Sequence, residues 1–427
     1  MKKTKLLTAI IGGSTLLTSV PIVATSCTSD DKDAKESYYV VKGEKVSLPT
    51  TFTQADINNL VPINYTFDDG ITRYAVFVND KYVEADLITE LKIYETDGIV
   101  SLPSYFLVRC SKLSKLYLKG VKVTSFDKVN YFVQSSDKNI SLTDLSVPTI
   151  VRDPGMETLS LPDNFLKNFN ALINVDLSGL SEVTNINAYF LANSYALKSV
   201  DLTPLSKVSS IASRFLVNCS SLTSIDLSPL SNLISTGNYF LNNCTSLTNI
   251  DTINNMKSLQ QIGQNCISNT GIKSFKLTNL PELKQINTYF LSSNQLLTDV
   301  EISYLPKLQF FGQGLCSRSS ESLPVSGVEN ITLKELPSLK KSTTPTRSAY
   351  GIQGKFLQSA PNLKVVNLGD DISADVFYAD TDSFTTLYLT DDAYVNGITL
   401  NSINKSAIET KFLDDPTTSG SYRKWAN

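Results

Sequence analysis

One periodicity constrains this 427-residue chain more than any other feature of its sequence. The dipeptides Phe165-Leu166, Phe190-Leu191, Phe215-Leu216 and Phe240-Leu241 recur every 25 residues, and Phe290-Leu291 follows two periods later. A degenerate copy falls near Cys266, Leu315 lies one period beyond Phe290, and Phe106-Leu107 and Phe356-Leu357 are outlying copies. Within each copy the apolar register is kept. Seven residues after the Phe stand Leu172, Leu197, Leu222, Leu247, Ile272 and Leu297, and three further on come Val175, Val200, Ile225, Ile250, Phe275 and Val300. Two beyond those are Leu177, Leu202, Leu227, Leu277 and Ile302, with Thr252 as the exception. The end of this phrase alternates apolar and polar residues, the pattern of a strand with one buried face. A single 25-residue coil cannot bury its own Leu and Phe side chains, whereas stacked coils bury them as continuous ladders. Strands pair at about 4.8 Å, so roughly eight to twelve coils would make a rod about 40–55 Å long.

The phrase L-x-x-I-x-L, seen in Leu222 to Leu227, is that of leucine-rich repeats. Together with F-L-x-N-C at Phe215 to Cys219 and Phe240 to Cys244, it resembles the BspA-like (treponemal-type) leucine-rich repeat family of bacterial surface proteins, from about Val100 to Leu368. The resemblance implies a surface-exposed recognition scaffold, often an adhesin, with no cofactor. The expected fold is a β-rich repeat solenoid over 87–400, interrupted by insertions near 133–158, 317–330 and 340–355. Residues 38–86 do not match the repeat. There Arg73 to Val83 alternates around Asn79-Asp80 like a β-hairpin, so this segment is expected to be a small N-terminal β-rich cap. Residues 401–427 are expected to form a C-terminal cap or tail, since a solenoid must hide its terminal apolar layers.

The N-terminus carries an export pattern. Lys2, Lys3 and Lys5 precede an uncharged stretch from Leu6 to Ser26, and the small residues Ala24, Thr25 and Ser26 lead into Cys27. This segment resembles a bacterial lipoprotein signal. The resemblance implies removal of residues 1–26, diacylglycerol on Cys27 and a location on the extracellular face of the cell membrane. The competing reading is an uncleaved membrane helix, because 21 uncharged residues are long enough to span about 30 Å of hydrocarbon. Pro21, Gly12 and Gly13 weaken that helix. Residues 27–37, polar and rich in charge, read as a flexible tether.

Composition narrows the chemistry. There is no histidine, so a Ser-His-Asp or Cys-His pair and any His-ligated metal are impossible. Thirty-eight basic against 41 acidic residues leave a net charge of −3, which supplies no electrostatic drive toward nucleic acid. A glycosidase working through carboxylates alone needs two of them facing at about 5–10 Å. The adjacent pairs Asp68-Asp69, Asp370-Asp371, Asp391-Asp392 and Asp414-Asp415 diverge instead, and glycines beside two of them mark turns. No catalytic residue, metal site or cofactor is expected, and the chain is read as a non-enzyme. Cys110, Cys219 and Cys244 share one register, four residues after the Phe, while Cys266 and Cys316 come from degenerate turns. They read as small buried thiols, with a Cys219–Cys244 disulfide between neighbouring coils as the alternative.

The candidate binding residues come from the repeat itself. Between two buried strand positions stand Asp176, Asp201, Asp226 and Asp251, followed in the next copies by Lys276 and Glu301. Stacking would set the four Asp in one column, where like charges repel unless Lys198 or other cations relieve them. The column is either a recognition face for an extracellular or host protein or an ordinary polar face that keeps the sheet soluble. Two functions therefore stand. One is a lipid-anchored protein-recognition and adhesion module; the other is a passive structural or antigenic coat protein without a specific ligand.

Overall fold

The computed structural model describes residues 35–103, 105–124, 141–312, 314–316, 326–339, 351–352 and 365–368. Cys27, the signal segment 1–26, most of the tether, Phe356-Leu357 and the tail 401–427 lie outside them.

The chain is a β-rich leucine-rich repeat solenoid with a small N-terminal β cap. Ile88–Lys92, Lys115–Tyr117, Asp144–Ser146 and Asn174–Asp176 pair in parallel, residue for residue, as the first rungs of the main strand face. Farther along, Ser274–Thr278, Asp299–Ser303, Asn330–Lys334 and Val365–Leu368 continue it in the same parallel register. Leu91, Leu116, Leu145, Val175, Val200, Ile225, Ile250, Phe275, Val300 and Ile331 are the buried members of this face. A second set of two-residue strands lies on the return path: Ser160–Leu161, Asn185–Ile186 and Ser210–Ile211, then Gln261–Ile262, Gln285–Ile286, Phe310–Phe311 and Gly351–Ile352.

In the middle coils the alternation predicts a strand, but none forms around Val200, Ile225 or Ile250, and the main face divides into two sheets there. The backbone passes straight into a 3-10 turn at Ser178–Leu180, Thr203–Leu205 and Ser228–Leu230, and Pro204 and Pro229 favour that turn with their fixed φ. Thr252 breaks the leucine register for a related reason. In its coil the 3-10 segment runs from Asp251–Asn255, so Ile253 takes the buried place. The Thr252 hydroxyl accepts from the Leu227 N–H at 2.9 Å and contacts the Ile225 carbonyl at 3.3 Å.

The cap extends the main sheet. Ser37–Val41 pairs antiparallel with Ile88–Lys92 and with Glu44–Leu48. Ser37, assigned by sequence to the tether, is fully buried and already part of the first strand. Its hydroxyl reaches the Thr50 carbonyl and accepts from the Tyr94 N–H. The alternation over Arg73 to Val83 folds as Thr72–Val78 against Lys81–Glu84, with Asn79 and Asp80 at φ 50° and 57° in the tight turn. Tyr39, Phe52, Ile57 and Leu60 of the cap join the solenoid core in one continuous apolar cluster, closing its first end.

All three expected insertions are shorter than their boundaries. Inside 133–158, Leu142, Leu145 and Val147 are buried and Asp144–Ser146 is a full rung between its neighbours. The spacing to the next coils is irregular there, and that hid the phrase L-T-D-L-S-V from a fixed 25-residue register. Inside 317–330, Val328 and Asn330 already belong to the next coil; inside 340–355, Gly351–Ile352 is a strand of the second face. The remaining parts of these segments lie outside the described residues.

In the described coils from Phe165 to Phe290 the Phe-Leu turn takes one unusual conformation. The residue before the Phe, the Leu after it and the residue three after it all adopt left-handed backbone. In one coil these are Tyr189 (φ 70°), Leu191 (51°) and Asn193 (63°), and in the next Arg214 (69°), Leu216 (53°) and Asn218 (62°). Left-handed backbone costs a non-glycine residue about 1–2 kcal/mol. Contacts between coils offset it. The Leu191 N–H bonds the Phe165 carbonyl, Leu216 bonds Phe190, and Leu241 bonds Phe215, at 2.9–3.0 Å. Phe165, Phe190, Phe215 and Phe240 stack nearly parallel at 6.0, 5.2 and 5.1 Å. The Asn side chains form a further ladder: Asn193 donates to Asn168, Asn218 to Asn193, Asn243 to Asn218 and Asn269 to Asn243, at 2.6–3.0 Å. Asn suits the place because it tolerates the left-handed region and carries both a donor and an acceptor.

The degenerate copy is now placed. The Ile267 N–H bonds the Phe240 carbonyl and the Leu291 N–H bonds the Cys266 carbonyl. Cys266 therefore stands at the Phe position, 26 residues after Phe240 and 24 before Phe290. The small thiol leaves room that Phe275 fills, its ring edge-on to Phe290 at 5.5 Å. Gly263 permits the close approach here, since a Cβ on it would lie 1.7 Å from the Gly237 carbonyl oxygen.

Two stability outcomes follow. Leu227, fully buried, should lose about 2–5 kcal/mol on Leu227→Ala, read by urea denaturation, while Leu296→Ala at a 56% exposed site should shift stability by less than about 0.5 kcal/mol. At Asn218, glycine removes the amide ladder but accepts the backbone, whereas alanine loses both. Asn218→Ala should therefore be less stable than Asn218→Gly by about 1 kcal/mol. Equal stabilities would mean that the left-handed backbone there costs nothing.

Candidate recognition surface

The main strand face carries the acidic column, and its residues are placed by two different local structures. Asp176 ends a paired strand opposite Ser146. Asp201 and Asp226 lie in no strand. Oδ1 of Asp176, Asp201 and Asp226 accepts from the backbone N–H two residues on, at Ser178, Thr203 and Ser228, over 2.8–2.9 Å. The acid thus caps the 3-10 turn that follows it, a role that selects Asp at this position without any ligand. Asp251 differs: its Oδ2 accepts from the Asn249 amide at 2.8 Å.

The charges along the face are compensated unevenly. Lys276 and Glu301 are directly paired in the strand register and ion-paired at 3.2 Å, with Lys334 at 3.6 Å on the other side. Burial pushes the Glu301 carboxyl up, but the Ser303 hydroxyl and these two cations outweigh it and hold it below the usual range. Lys119 lies 3.9 Å from Asp176. Among the described residues Asp201, Asp226 and Asp251 have no ion-pair partner, and Lys198 pairs with none of them. The structure thus separates the six candidate residues into a paired cationic–anionic end and a run of three exposed carboxylates on successive coils.

The carboxylate pair Asp68-Asp69 sits in a turn closed by Gly70, as its neighbours suggested. Asp69 accepts from the Ile71 N–H and from Arg73 at 2.6 Å, and these contacts lower its carboxyl. Among the described residues no group of three or more metal-ligating side chains converges.

The five described cysteines are buried free thiols. Cys219 and Cys244 do not bond each other; their thiols point to the Leu191 and Leu216 carbonyls at 3.3 and 3.2 Å. Burial raises Cys110 and Cys219 to about 12 and Cys266 to about 11. In the same register Asn294 replaces the thiol at full burial and is saturated: its NH2 donates to Ile267 and Leu291 carbonyls, and its oxygen accepts from Thr270.

The turn face holds side chains that the sequence pattern did not single out. Immediately before the Phe positions, Tyr189, Arg214 and Tyr239 form a stack in which the Arg214 guanidinium lies 4.8 and 5.0 Å from the two ring centres. Its Nη1 donates to the Tyr189 hydroxyl at 2.8 Å, and the Lys167 ammonium covers the outer face of Tyr189 at 3.9 Å. The available signal was Tyr or Arg just before Phe190, Phe215, Phe240 and Phe290, a column of large side chains on the turn.

Because an unfolded thiol ionises near 8.5, a buried neutral one stabilises the fold fully below that pH. Stability should fall as pH rises from about 8.5 toward 12 and the unfolded chain loses protons that Cys219 retains. Cys219→Ala should flatten that decline in denaturation curves measured from pH 7 to 10. The native thiol should also resist alkylation at pH 8.

Residues 159–323 match the model of the BspA type leucine rich repeat region, in six copies. A search of curated proteins finds no match. Among solved structures, a leucine-rich repeat protein from Bacteroides ovatus is 17% identical, covering 72% of this chain and 88% of that one with a TM-score of 0.31. The functional domain of InlJ from Listeria monocytogenes is 15% identical over 68% of this chain and 67% of its own, with a TM-score of 0.23. The internalin inlF from the same organism is 15% identical over 68% and 84%, with a TM-score of 0.17. The strand register and the family match agree: the chain is built on a leucine-rich repeat solenoid, with repeats of the BspA type over residues 159–323.

Proposed function

We propose that this chain is a lipid-anchored bacterial surface protein that recognises and adheres to an extracellular or host protein through the main strand face of its repeats. The observation that carries the proposal is the run Asp201, Asp226 and Asp251, three exposed carboxylates on successive coils without an ion-pair partner among the described residues. Stacked coils, about one strand spacing of 4.8 Å apart, bring like charges close, a cost that a basic partner would relieve. The BspA-type repeats support a binding scaffold, and the lipobox-like Ala24-Thr25-Ser26-Cys27 supports an anchor on the extracellular side of the membrane. In this reading Asp176, Asp201, Asp226 and Asp251 are electrostatic contacts, with Lys276 and Glu301 at the edge of the surface. The proposed partners are a protein and, through Cys27, the membrane; nucleic acid and cofactors have no part.

One observation favours the passive coat instead. Capping of the 3-10 turns already accounts for one oxygen of Asp176, Asp201 and Asp226. The two readings separate experimentally, because Asn keeps a capping oxygen and removes only the charge. With a panel of purified extracellular-matrix proteins on a sensor surface, Asp201→Asn/Asp226→Asn should weaken capture and flatten its salt dependence while the fold is kept. Unaltered capture at every salt concentration would move the binding surface elsewhere, and no capture by the wild-type protein would favour the coat. Anchoring has its own readout: Cys27→Ala should shift the protein from the detergent to the aqueous phase, and an unchanged partition would indicate a retained helix.

A further inference from the structure

The small sheet of the cap departs from the usual pattern of an antiparallel surface sheet, one face apolar against the core and the other polar toward water. Its strands Ile63–Thr66, Thr72–Val78 and Lys81–Glu84 pair antiparallel in that order. One face packs on the solenoid: Val76 and Val78 belong to the core cluster and Val83 lies against it. Alternation along the strands therefore calls for a polar opposite face. That face instead carries Ile63 and Tyr65 on the first strand with Phe67 just after it, Phe77 on the second with Ile71 just before it, and Tyr82 on the third. None of the six belongs to the core cluster, and Ile63 and Ile71 are 47% and 53% exposed.

These side chains form one connected surface. Tyr65 and Tyr82 reach from the two outer strands across the fully buried Ala75 and stack at 4.0 Å. Phe67 stands edge-on to Tyr65 and Phe77 lies beside Tyr82, each at 5.0 Å. The charged members of the face are paired within it: Arg73 bonds Asp69 at 2.6 Å and lies 3.7 Å from Glu84. The same guanidinium lies 5.6 Å from the Phe67 ring centre. The face thus offers apolar and aromatic area on which the charges already have partners. Large exposed apolar area of this kind marks a surface that meets something other than water.

Its position decides what covers it. The chain enters the cap at Ser37–Val41, where Tyr38 pairs with Ser47. At the tip of the hairpin that carries Phe77 and Tyr82, the Asn79 amide donates to the Ser47 carbonyl at 2.8 Å. The hairpin is therefore fastened beside the point where the tether arrives. Only Thr28 to Lys35 separate Cys27 from Glu36, and a chain of that length reaches no farther than about 30 Å. A lipid on Cys27 would hold the cap that close to the bilayer, at an effective concentration where a weak contact suffices. Tyr and Phe rings, apolar in body and in Tyr polar at the tip, suit the membrane–water interface. We infer that this face of the cap is a membrane-docking surface, seated on the phospholipid interface of the bilayer that holds Cys27. The inference rests on the anchor proposed at Cys27 and adds a second contact to it, one that sets the capped end of the solenoid down on the membrane. It uses no residue of the strand face.

The test uses the chain beginning at Cys27. The other five cysteines are buried, so a maleimide lipid couples Cys27 alone and no cellular acylation is needed. With Trp425→Phe removing the natural indole, Ile71→Trp reports on the cap, and Ile234→Trp, at a 48% exposed site of the solenoid, is the control. An apolar face seated on a bilayer lies about 5–10 Å into the headgroup–acyl boundary. In phosphatidylcholine vesicles with brominated acyl chains, the Ile71→Trp indole should therefore shift to the blue and be quenched, at low and high salt alike. Ile234→Trp should stay unquenched. Adding Ile63→Asp at its exposed site should keep the fold and weaken the quenching of Ile71→Trp severalfold. Absence of quenching at Ile71→Trp, or undiminished quenching with Ile63→Asp, overturns the proposal. A concentration-dependent dimer of the uncoupled chain that Ile63→Asp dissociates would also overturn it, showing a second copy on this face. Unchanged detergent partitioning of Cys27→Ala would remove the anchor reading alone, because the chemically coupled chain still reports on the face.

Discussion

The backbone bond from the Leu N–H of a turn to the carbonyl at the Phe position of the preceding coil, as at Leu191, Leu216, Leu241 and Leu291, is the interaction on which the repeat array depends. It occurs where the chain is least comfortable, at a turn with three left-handed non-glycine residues. A lone coil would not hold that turn, since every strained residue is held by the coil before or after it. The same arrangement brings the Phe rings to 5.1–6.0 Å and the Asn amides to 2.6–3.0 Å. Stacking therefore creates both the core and the conformation that the core requires. That makes the solenoid cooperative along its length, although each coil touches only its neighbours.

This dependence explains how the array tolerates defects. The degenerate coil delays its turn by one residue and recovers it in the next, while the backbone bonds at Ile267 and Leu291 are preserved. Its losses are offset locally: Phe275 covers for the missing ring, and Gly263 lets the backbones close. The side chains of the outer turn are under no such demand. There the substitution of Asn265 leaves space, and that space is the cavity beside Tyr239 and Tyr289.

The strand face and the turn face differ in physical character. The strand face is open and charged, and exposed carboxylates act over a Debye length of about 8 Å at physiological salt, suited to steering and sorting protein partners. The turn face instead holds the Arg214 guanidinium between Tyr189 and Tyr239, with a half-open polar cavity of about 310 Å³ beside Tyr239 and Tyr289. Separate placement lets each vary without disturbing the other, because the apolar core between them is set by different residues of the same coil.

The fold was legible in the sequence because a repeat writes the same burial constraint many times. Leu172, Leu197, Leu222 and Leu247 had to share one environment, and period-2 alternation marked their neighbours as strand. The absence of histidine likewise limited the chemistry before any geometry was known. Register across irregular spacing was not legible. The rung at Asp144–Ser146 and the shift at Cys266 are decided by which backbone groups meet across coils, and a linear pattern does not contain that information. The same holds for the acids: sequence aligned Asp176, Asp201 and Asp226 in a column, but only the folded chain shows each with one oxygen on a turn N–H. The cavity lies furthest from the sequence. It is defined by what is missing between Tyr239 and Tyr289, and an empty space exists only after neighbours two coils apart have been brought together.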